Sequence, residues 1–197
     1  MGSKLINETK NSSPLLFIRM LLEKNISKNV ELEFSKYTSG GQGITLNRSV
    51  FRLSLDQEIL FKIDDLIENL NEGEELAFHS NIYINKKRKC LPLIDFSFIE
   101  FDESTDRSVF RIHEYLNTSI YLFKTGRSYH GYALKKLTPN AWKSYLGFLL
   151  LQNRPGNSFE IVDSRWIGHS LEQNFSALRL SNNSKFYLQY PHFSGVF

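Results

Sequence analysis

The chain has 197 residues, of which 41% are hydrophobic, 23% charged and 14% aromatic, with sixteen Phe and nine Tyr. That apolar content can offset the ordering entropy of a compact domain, which excludes a disordered or low-complexity protein. The net charge of +3 suits a phosphate-rich partner without demanding one, and the single cysteine, Cys90, excludes both an intrachain disulfide and a multi-cysteine zinc site.

In chain order, residues 14–24 carry apolar side chains at helical spacing behind Ser12 or Ser13 as a cap, which predicts a first helix. Residues 30–34 alternate apolar and acidic positions and predict a strand. Residues 38–43 predict a turn or loop, within which Gly40-Gly41-Gln42-Gly43 has the backbone freedom to cradle a phosphate but lacks the Lys-Ser/Thr that completes a P-loop. Strand patterning resumes over 44–55. The clearest helix is 54–70, with Ser54 or Asp56 as its cap and Ile59, Leu60, Ile63, Leu66, Ile67 and Leu70 on one face. Asn71-Glu72-Gly73 is its stop signal.

Strands are predicted at 76–84 and 90–101, separated by the basic run Lys86-Lys87-Arg88-Lys89. Cys90 opens the second of these and reads as a buried structural thiol. A helix at 107–116, a strand at 120–123 and a strand at 129–134 follow. Thr138 as cap and Pro139 in the first turn predict a helix over 138–152. Short strands are predicted at 161–163 and 177–180, with a last one at 185–190. The fold class is therefore a mixed α/β (α+β) domain, a largely antiparallel sheet flanked by helices. Residues 1–197 are expected to form one domain, with 1–75 as an N-terminal helical and strand portion and 76–197 as the motif-bearing core. No segment approaches the roughly twenty apolar residues of a membrane span, and the N-terminus shows no secretory apolar core. The expected location is cytoplasmic.

Three segments carry residues with chemistry. In Leu91-Pro92-Leu93-Ile94-Asp95-Phe96-Ser97-Phe98, an aspartate follows an apolar run, where burial is costly unless the group is paired, hydrogen-bonded or metal-bound. Strand alternation puts Asp95, Ser97 and Ile99 on one face and Phe96, Phe98 and Glu100 on the other. Thr125-Gly126-Arg127-Ser128-Tyr129-His130-Gly131-Tyr132 brings small residues next to a planar cation suited to phosphate, with Ser128 and His130 on a shared face. Ile161-Val162-Asp163-Ser164-Arg165 ends a short apolar strand in a second aspartate, and Arg179 interrupts the apolar strand nearby. Each of these residues alone also reads as a structural group, hydrogen-bonded to a local amide or ion-paired. Their joint order is harder to assign to structure.

The order Asp, Ser-x-His, Asp resembles the archaeo-eukaryotic primase superfamily, which includes primase-polymerases. The matching pieces are Asp95 in LIDFSF, Ser128-Tyr129-His130 in GRSYHGY and Asp163 in IVDS, spanning residues 91–181. The resemblance implies a primase-polymerase-like core and a nucleotidyltransferase that uses Mg²⁺ or Mn²⁺, nucleoside triphosphate and a single-stranded DNA or RNA template. It implies DNA replication, repair or defence as the setting, with protein partners in such a complex. Asp95 and Asp163 would be metal ligands and catalytic, with His130, and Ser128 with His130 would touch the triphosphate. Charge and location add Arg127, Arg165 and Arg179 to the nucleotide pocket. One position departs from the pattern. Two residues after Asp95, where the family has a second carboxylate, stands Ser97, a poor oxygen ligand for Mg²⁺. The resemblance therefore also implies a catalytically weakened member.

A non-catalytic nucleic-acid-binding subunit is the alternative. Lys86, Lys87, Arg88 and Lys89, with Lys135 and Lys136, would then contact phosphates, and Tyr129, Tyr132 or Trp166 would stack on bases. A solvated hairpin tip explains the same basic run. A metal-dependent nuclease built from the same acids is a third reading, and the acid–Lys spacing of common nuclease cores is absent.

Overall fold

In the computed structural model, which describes residues 13–25, 29–38, 48–153, 156, 160–187 and 189–197, the strands form two antiparallel sheets rather than one. The glycine-rich segment 40–43 lies outside the described residues. The first sheet contains β1 (Val30–Thr38), β2 (Arg48–Ser54), β3 (Glu74–Ile84), β4 (Lys87–Cys90) and β8 (Ala177–Arg179). Its order is β2-β1-β3, and β4 and β8 share the far edge of β3. The second sheet contains β5 (Leu93–Asp95), β6 (Ile120–Lys124), β7 (Tyr129–Ala133) and β9 (His192–Val196), in the order β5-β7-β6-β9.

Helix α1 (Leu15–Glu23) buries Leu15, Phe17, Ile18 and Leu21 and ties the sheets together. Its Phe17 ring lies 6.4 Å from Phe78 of β3 and 5.2 Å from Tyr132 of β7. Helix α2 (Ile59–Glu68) adds Ile59 and Ile63 to the same core. The other face of the second sheet is covered by α3 (Glu103–Leu116), α4 (Pro139–Leu150) and α5 (Ser164–Gln173). Ile94 and Phe96 pack there against Val109, Ile112, Trp142, Leu146 and Ile167. Each fully buried side chain of this size stabilises by about 1.5–3 kcal/mol. No helix of the described residues is long and apolar enough to cross a membrane.

Gly131 in β7 faces this second core. A Cβ there would lie 2.9 Å from the Phe96 ring and 3.1 Å from Ile94 Cδ1. Gly131→Ala is therefore expected to cost about 1–3 kcal/mol through overpacking. The check is a lower urea midpoint at unchanged slope; an unmoved midpoint means the ring yields freely.

Several predicted elements match closely. Residues 14–24, 76–84, 120–123, 129–134 and 138–152 are found as α1, β3, β6, β7 and α4, and Thr138 Oγ1 accepts from Ala141 N at 3.2 Å as the predicted cap. Cys90 is buried, and burial pushes its thiol pKa up. The predicted strand over 90–101 is broken. Pro92 separates β4 from β5, and after a single bridge at Phe96 the chain bends into α3. That helix starts at Glu103 rather than 107, because Asp102 accepts from the Ser104 and Thr105 amides and Thr105 reciprocates, a complete capping box. Helix α2 starts at Ile59, after a turn in which Asp56 Oδ1 accepts from Glu58 N at 3.0 Å. The described residues of the segment 185–190 form no strand; the last strand among the described residues is β9, which lines the free edge of β6. Helix α5 was not predicted.

Candidate active site

Strand β5 is only three residues long, and its last residue has a partner on each side. On one side Asp95 pairs in register with His130 of β7. On the other, Phe96 bridges Val162, flanked by Asp163 N donating to Asp95 O at 2.9 Å and Ser97 N donating to Ile161 O at 3.0 Å. Residues directly opposite in antiparallel strands point to the same face, with Cβ atoms about 5 Å apart. The three motifs thus meet in one cross-strand row, Asp163–Asp95–His130, on the face opposite Ile94 and Phe96. His130 Nε2 lies 3.8 Å from Asp95 Oδ1.

The row opens into a cleft lined by both sheets. One hollow is bordered by Arg48, Asp95, Asp163, Arg165 and Trp166, and the adjoining one by Arg48, Asp95, Arg127, Ser128, His130 and Arg179. Ser128 precedes β7 in a tight turn closed by Thr125 N donating to Ser128 O at 2.9 Å, with Gly126 at φ 108. Ser128 thus lies outside the strand, and what it shares with His130 is the border of the second hollow. Arg127 and Arg165 are exposed, and Arg127 Nη2 donates to Phe186 O at 3.2 Å. Arg179 is buried. Its guanidinium donates to the carbonyls of Ser181, Thr125 (3.5 Å) and Gln189 (3.2 Å), and lies 4.0 Å over the Tyr187 ring.

The electrostatics follow from burial. Only 25% of the Asp95 side chain is exposed, and its carboxylate accepts no hydrogen bond from a described residue. Burial, helped by the neighbouring Asp163 charge, pushes its pKa up to about 8, against the pull of Arg179. Burial and the Arg179 charge push His130 down to about 3, so the imidazole is neutral at physiological pH. Its Nδ1 is buried without a partner among the described residues. Asp163 keeps one oxygen for a structural task, since Oδ1 caps α5 by accepting from Trp166 N at 2.9 Å.

Not every candidate reaches this cleft. Lys86 and Lys87 are exposed at the β3–β4 hairpin, where Asn85 and Lys86 take positive φ, and none of Lys86, Lys87, Arg88 and Lys89 borders either hollow. Arg88 Nη2 donates to Asn174 O at 2.6 Å. Lys135 donates to Leu116 O, and Lys136 Nζ to Asn25 Oδ1 at 2.6 Å. Tyr129 and Tyr132 are buried and closed to stacking on bases, whereas Trp166 borders both hollows. Glu100 and Asp102 are exposed and border neither hollow, so no bulge returns a second carboxylate to Asp95. Among the described residues no group of three or more His, Cys, Asp or Glu is placed to hold a metal ion.

Arg48 went unrecognised from sequence, although it borders both hollows. His169, Gln173 and Phe175 were also missed, because α5 was missed with them. The cap signal of Asp163, followed by Trp166, Ile167, Ser170 and Leu171 at helical spacing, was available to find that helix.

A comparison with curated proteins and one with solved structures each found no match. A protein-family model described as AEP-like, archaeo-eukaryotic primase 1D-like, matches residues 57–192, a span that holds Asp95, Ser128, His130 and Asp163. That span is more than half of the chain, and the protein belongs to this archaeo-eukaryotic primase-like family.

Proposed function

We propose that the cleft binds a nucleoside triphosphate and a nucleic-acid strand for metal-dependent nucleotidyl transfer, and that residues 1–197 act as one unit in doing so. The observation that carries this reading is the Asp163–Asp95–His130 row, in which residues from three separated motifs adjoin in a cleft that Arg48, Arg127, Arg165 and Arg179 border. Family membership supports a nucleotide and a nucleic acid as the substrate classes.

The donor set fits one hard divalent cation. Asp95 and the free oxygen of Asp163 would be its carboxylate ligands, and burial with the like charge of Asp163 outweighs the pull of Arg179 at Asp95, a balance that a bound cation would offset. Mg²⁺ is commonly held by one or two carboxylates, with water and substrate phosphate oxygens completing the shell; Mn²⁺ accepts the same ligands. Such an ion would supply Lewis-acid polarisation of a phosphoryl oxygen. The chain's own groups do the rest. Neutral His130 offers one N–H to a phosphate oxygen without repelling the cation. Ser128 and Arg127 border the same hollow and bind phosphate. Arg165 meets the incoming charge at the start of α5, and buried Arg179 supplies a fixed positive field to Asp95 and His130. Exposed Lys86 and Lys87 are available to the backbone of a longer nucleic acid.

Ser97 leaves the site one carboxylate short, which supports weakened catalysis, with binding as the stronger property. Calorimetric titration of dATP in the presence of Mn²⁺ is expected to show binding that Asp163→Ala weakens at least about tenfold. Primer extension under the same conditions is expected to be slow and to vanish in that variant. The absence of dATP binding with either Mn²⁺ or Mg²⁺ removes the reading. Salt-sensitive single-stranded DNA binding that survives Asp95→Ala and Asp163→Ala, without extension, favours the non-catalytic subunit.

A further inference from the structure

The first sheet buries a polar chain that ends at the cleft. Glu33 sits where the β1–β3 register shifts, and its carboxylate accepts from Asn81 Nδ2 at 2.9 Å, Tyr83 Oη at 3.1 Å and His79 Nδ1 at 3.1 Å, with Arg52 Nε at 3.5 Å. The His79, Asn81 and Tyr83 donors hold the Glu33 pKa down to about 2 despite burial, so the group is ionised. An ionised Glu33 fixes the proton of His79 on Nδ1, while burial, pulling the His79 pKa down, keeps the ring neutral. Nε2 is then a lone pair, and it accepts from the Ser35 hydroxyl at 2.8 Å. Ser35 Oγ has lone pairs left, and it accepts from Arg48 Nη1 at 3.0 Å. Every hydrogen bond from Arg48 to Glu33 therefore runs in one direction. Ser35 and His79 are completely buried, and His79 is stacked 4.0 Å from Phe175 at an interplanar angle of 10°.

What this chain positions is the Arg48 guanidinium. It borders both hollows together with Asp95, stands 4.5 Å over the Tyr37 ring, and keeps a buried Nε without a partner among the described residues. A guanidinium with one edge anchored and other donors unspent at a cleft is suited to a phosphate oxygen, because its planar fork is pre-organised for bidentate contact. Arg48, Ser35 and Glu33 all precede residues 57–192, so this wall of the cleft is contributed by sequence that the family match does not reach.

We propose that Arg48 is a substrate-binding residue for the polyphosphate of the incoming nucleotide, and that Ser35, His79 and Glu33 are its positioning residues. The proposal rests on the nucleotide-binding reading above, and its test separates the two. Binding of inorganic tripolyphosphate and of dATP is measured by calorimetry, with Mn²⁺ and again with EDTA in its place. Arg48→Gln is expected to weaken tripolyphosphate about tenfold or more in both conditions, whereas Asp163→Ala weakens it with Mn²⁺ only. Ser35→Ala, which cuts the chain without touching the cleft, is expected to weaken tripolyphosphate about three- to tenfold, and Ser35→Thr to restore it. A merely structural serine would lower the melting temperature of both variants without this split in affinity. If Ser35→Ala does not fold, Arg48→Gln at the cleft margin still decides the matter. Unchanged tripolyphosphate affinity in Arg48→Gln overturns the inference while Asp163 dependence of dATP binding persists. Wild-type protein that binds neither probe overturns both readings.

Discussion

Asp95→Asn is expected to melt above the wild type at pH 8 in the absence of divalent cation, and to bind dATP with Mn²⁺ on the order of 100-fold more weakly. The two effects share one origin. Burial and the adjacent Asp163 raise the Asp95 pKa to about 8 in the folded protein, against 3.8 for the free group. Between those two values the folded chain holds a proton that the unfolded chain releases. Stability from this residue is thus fully present below about pH 4 and is lost progressively as pH rises toward 8. By pH 8 the penalty is about 2–3 kcal/mol, once the part of the side chain open to the cleft is allowed for. Asn removes the ionisation and with it the penalty. It also removes a ligand oxygen, so Mn²⁺, expected to raise the wild-type melting temperature, has little effect on the variant. Thermal melts from pH 5 to 8, with and without Mn²⁺, decide the point. A wild-type profile that is flat in pH, with Asp95→Asn less stable throughout, would mean that Asp95 is ionised and already satisfied by the protein.

This conflict at Asp95 was partly legible in the sequence. An aspartate behind Leu91-Pro92-Leu93-Ile94 announces a costly burial, and strand alternation correctly separates it from Phe96. What sequence cannot give is the partner. Asp163 is brought to Asp95 by one bridge between two three-residue segments, a pairing with too few side chains to carry a periodic signal. Only the order of the three motifs suggested it. The Arg48 wall was hidden for a different reason. Glu33 and Ser35 alternate with Leu32 and Phe34, a pattern that reads as a strand with one face in water. That face is in fact closed, with His79 stacked on Phe175 just beyond α5, and its polar groups satisfy one another. A polar face in water and a polar face in a buried network have the same period. Where a cap was overlooked, the start of α3 was misjudged, at Asp102, and α5 was missed, at Asp163; the last strand was misplaced because the aromatic run Phe186-Tyr187 turns against Arg127 and Arg179 instead of pairing.

Arg179→Met is expected to cost about 3–5 kcal/mol of stability, the largest effect of any single change near the cleft. Methionine can refill much of the volume but cannot donate. The carbonyls of Ser181, Thr125 and Gln189 then lose their common partner, and Tyr187 loses the cation above its ring. Those carbonyls belong to the end of β8, the turn before Ser128 and the approach to β9, so one guanidinium holds three segments that shape the second hollow. Arg179→Lys keeps the charge but has one nitrogen for three acceptors, and an intermediate loss of about 1–3 kcal/mol is expected. The charge has a separate signature. Arg179 opposes the rise in the Asp95 pKa and contributes to the fall in that of His130. Removing it moves both groups upward, so Asp95 ionises at higher pH and the pH profile of Mn²⁺ binding shifts to the alkaline side in Arg179→Met. Arg179→Lys should lose stability without that shift. If the two variants share one binding profile, the fixed field at Asp95 comes from elsewhere in the cleft, and Arg179 is a clamp on the backbone alone.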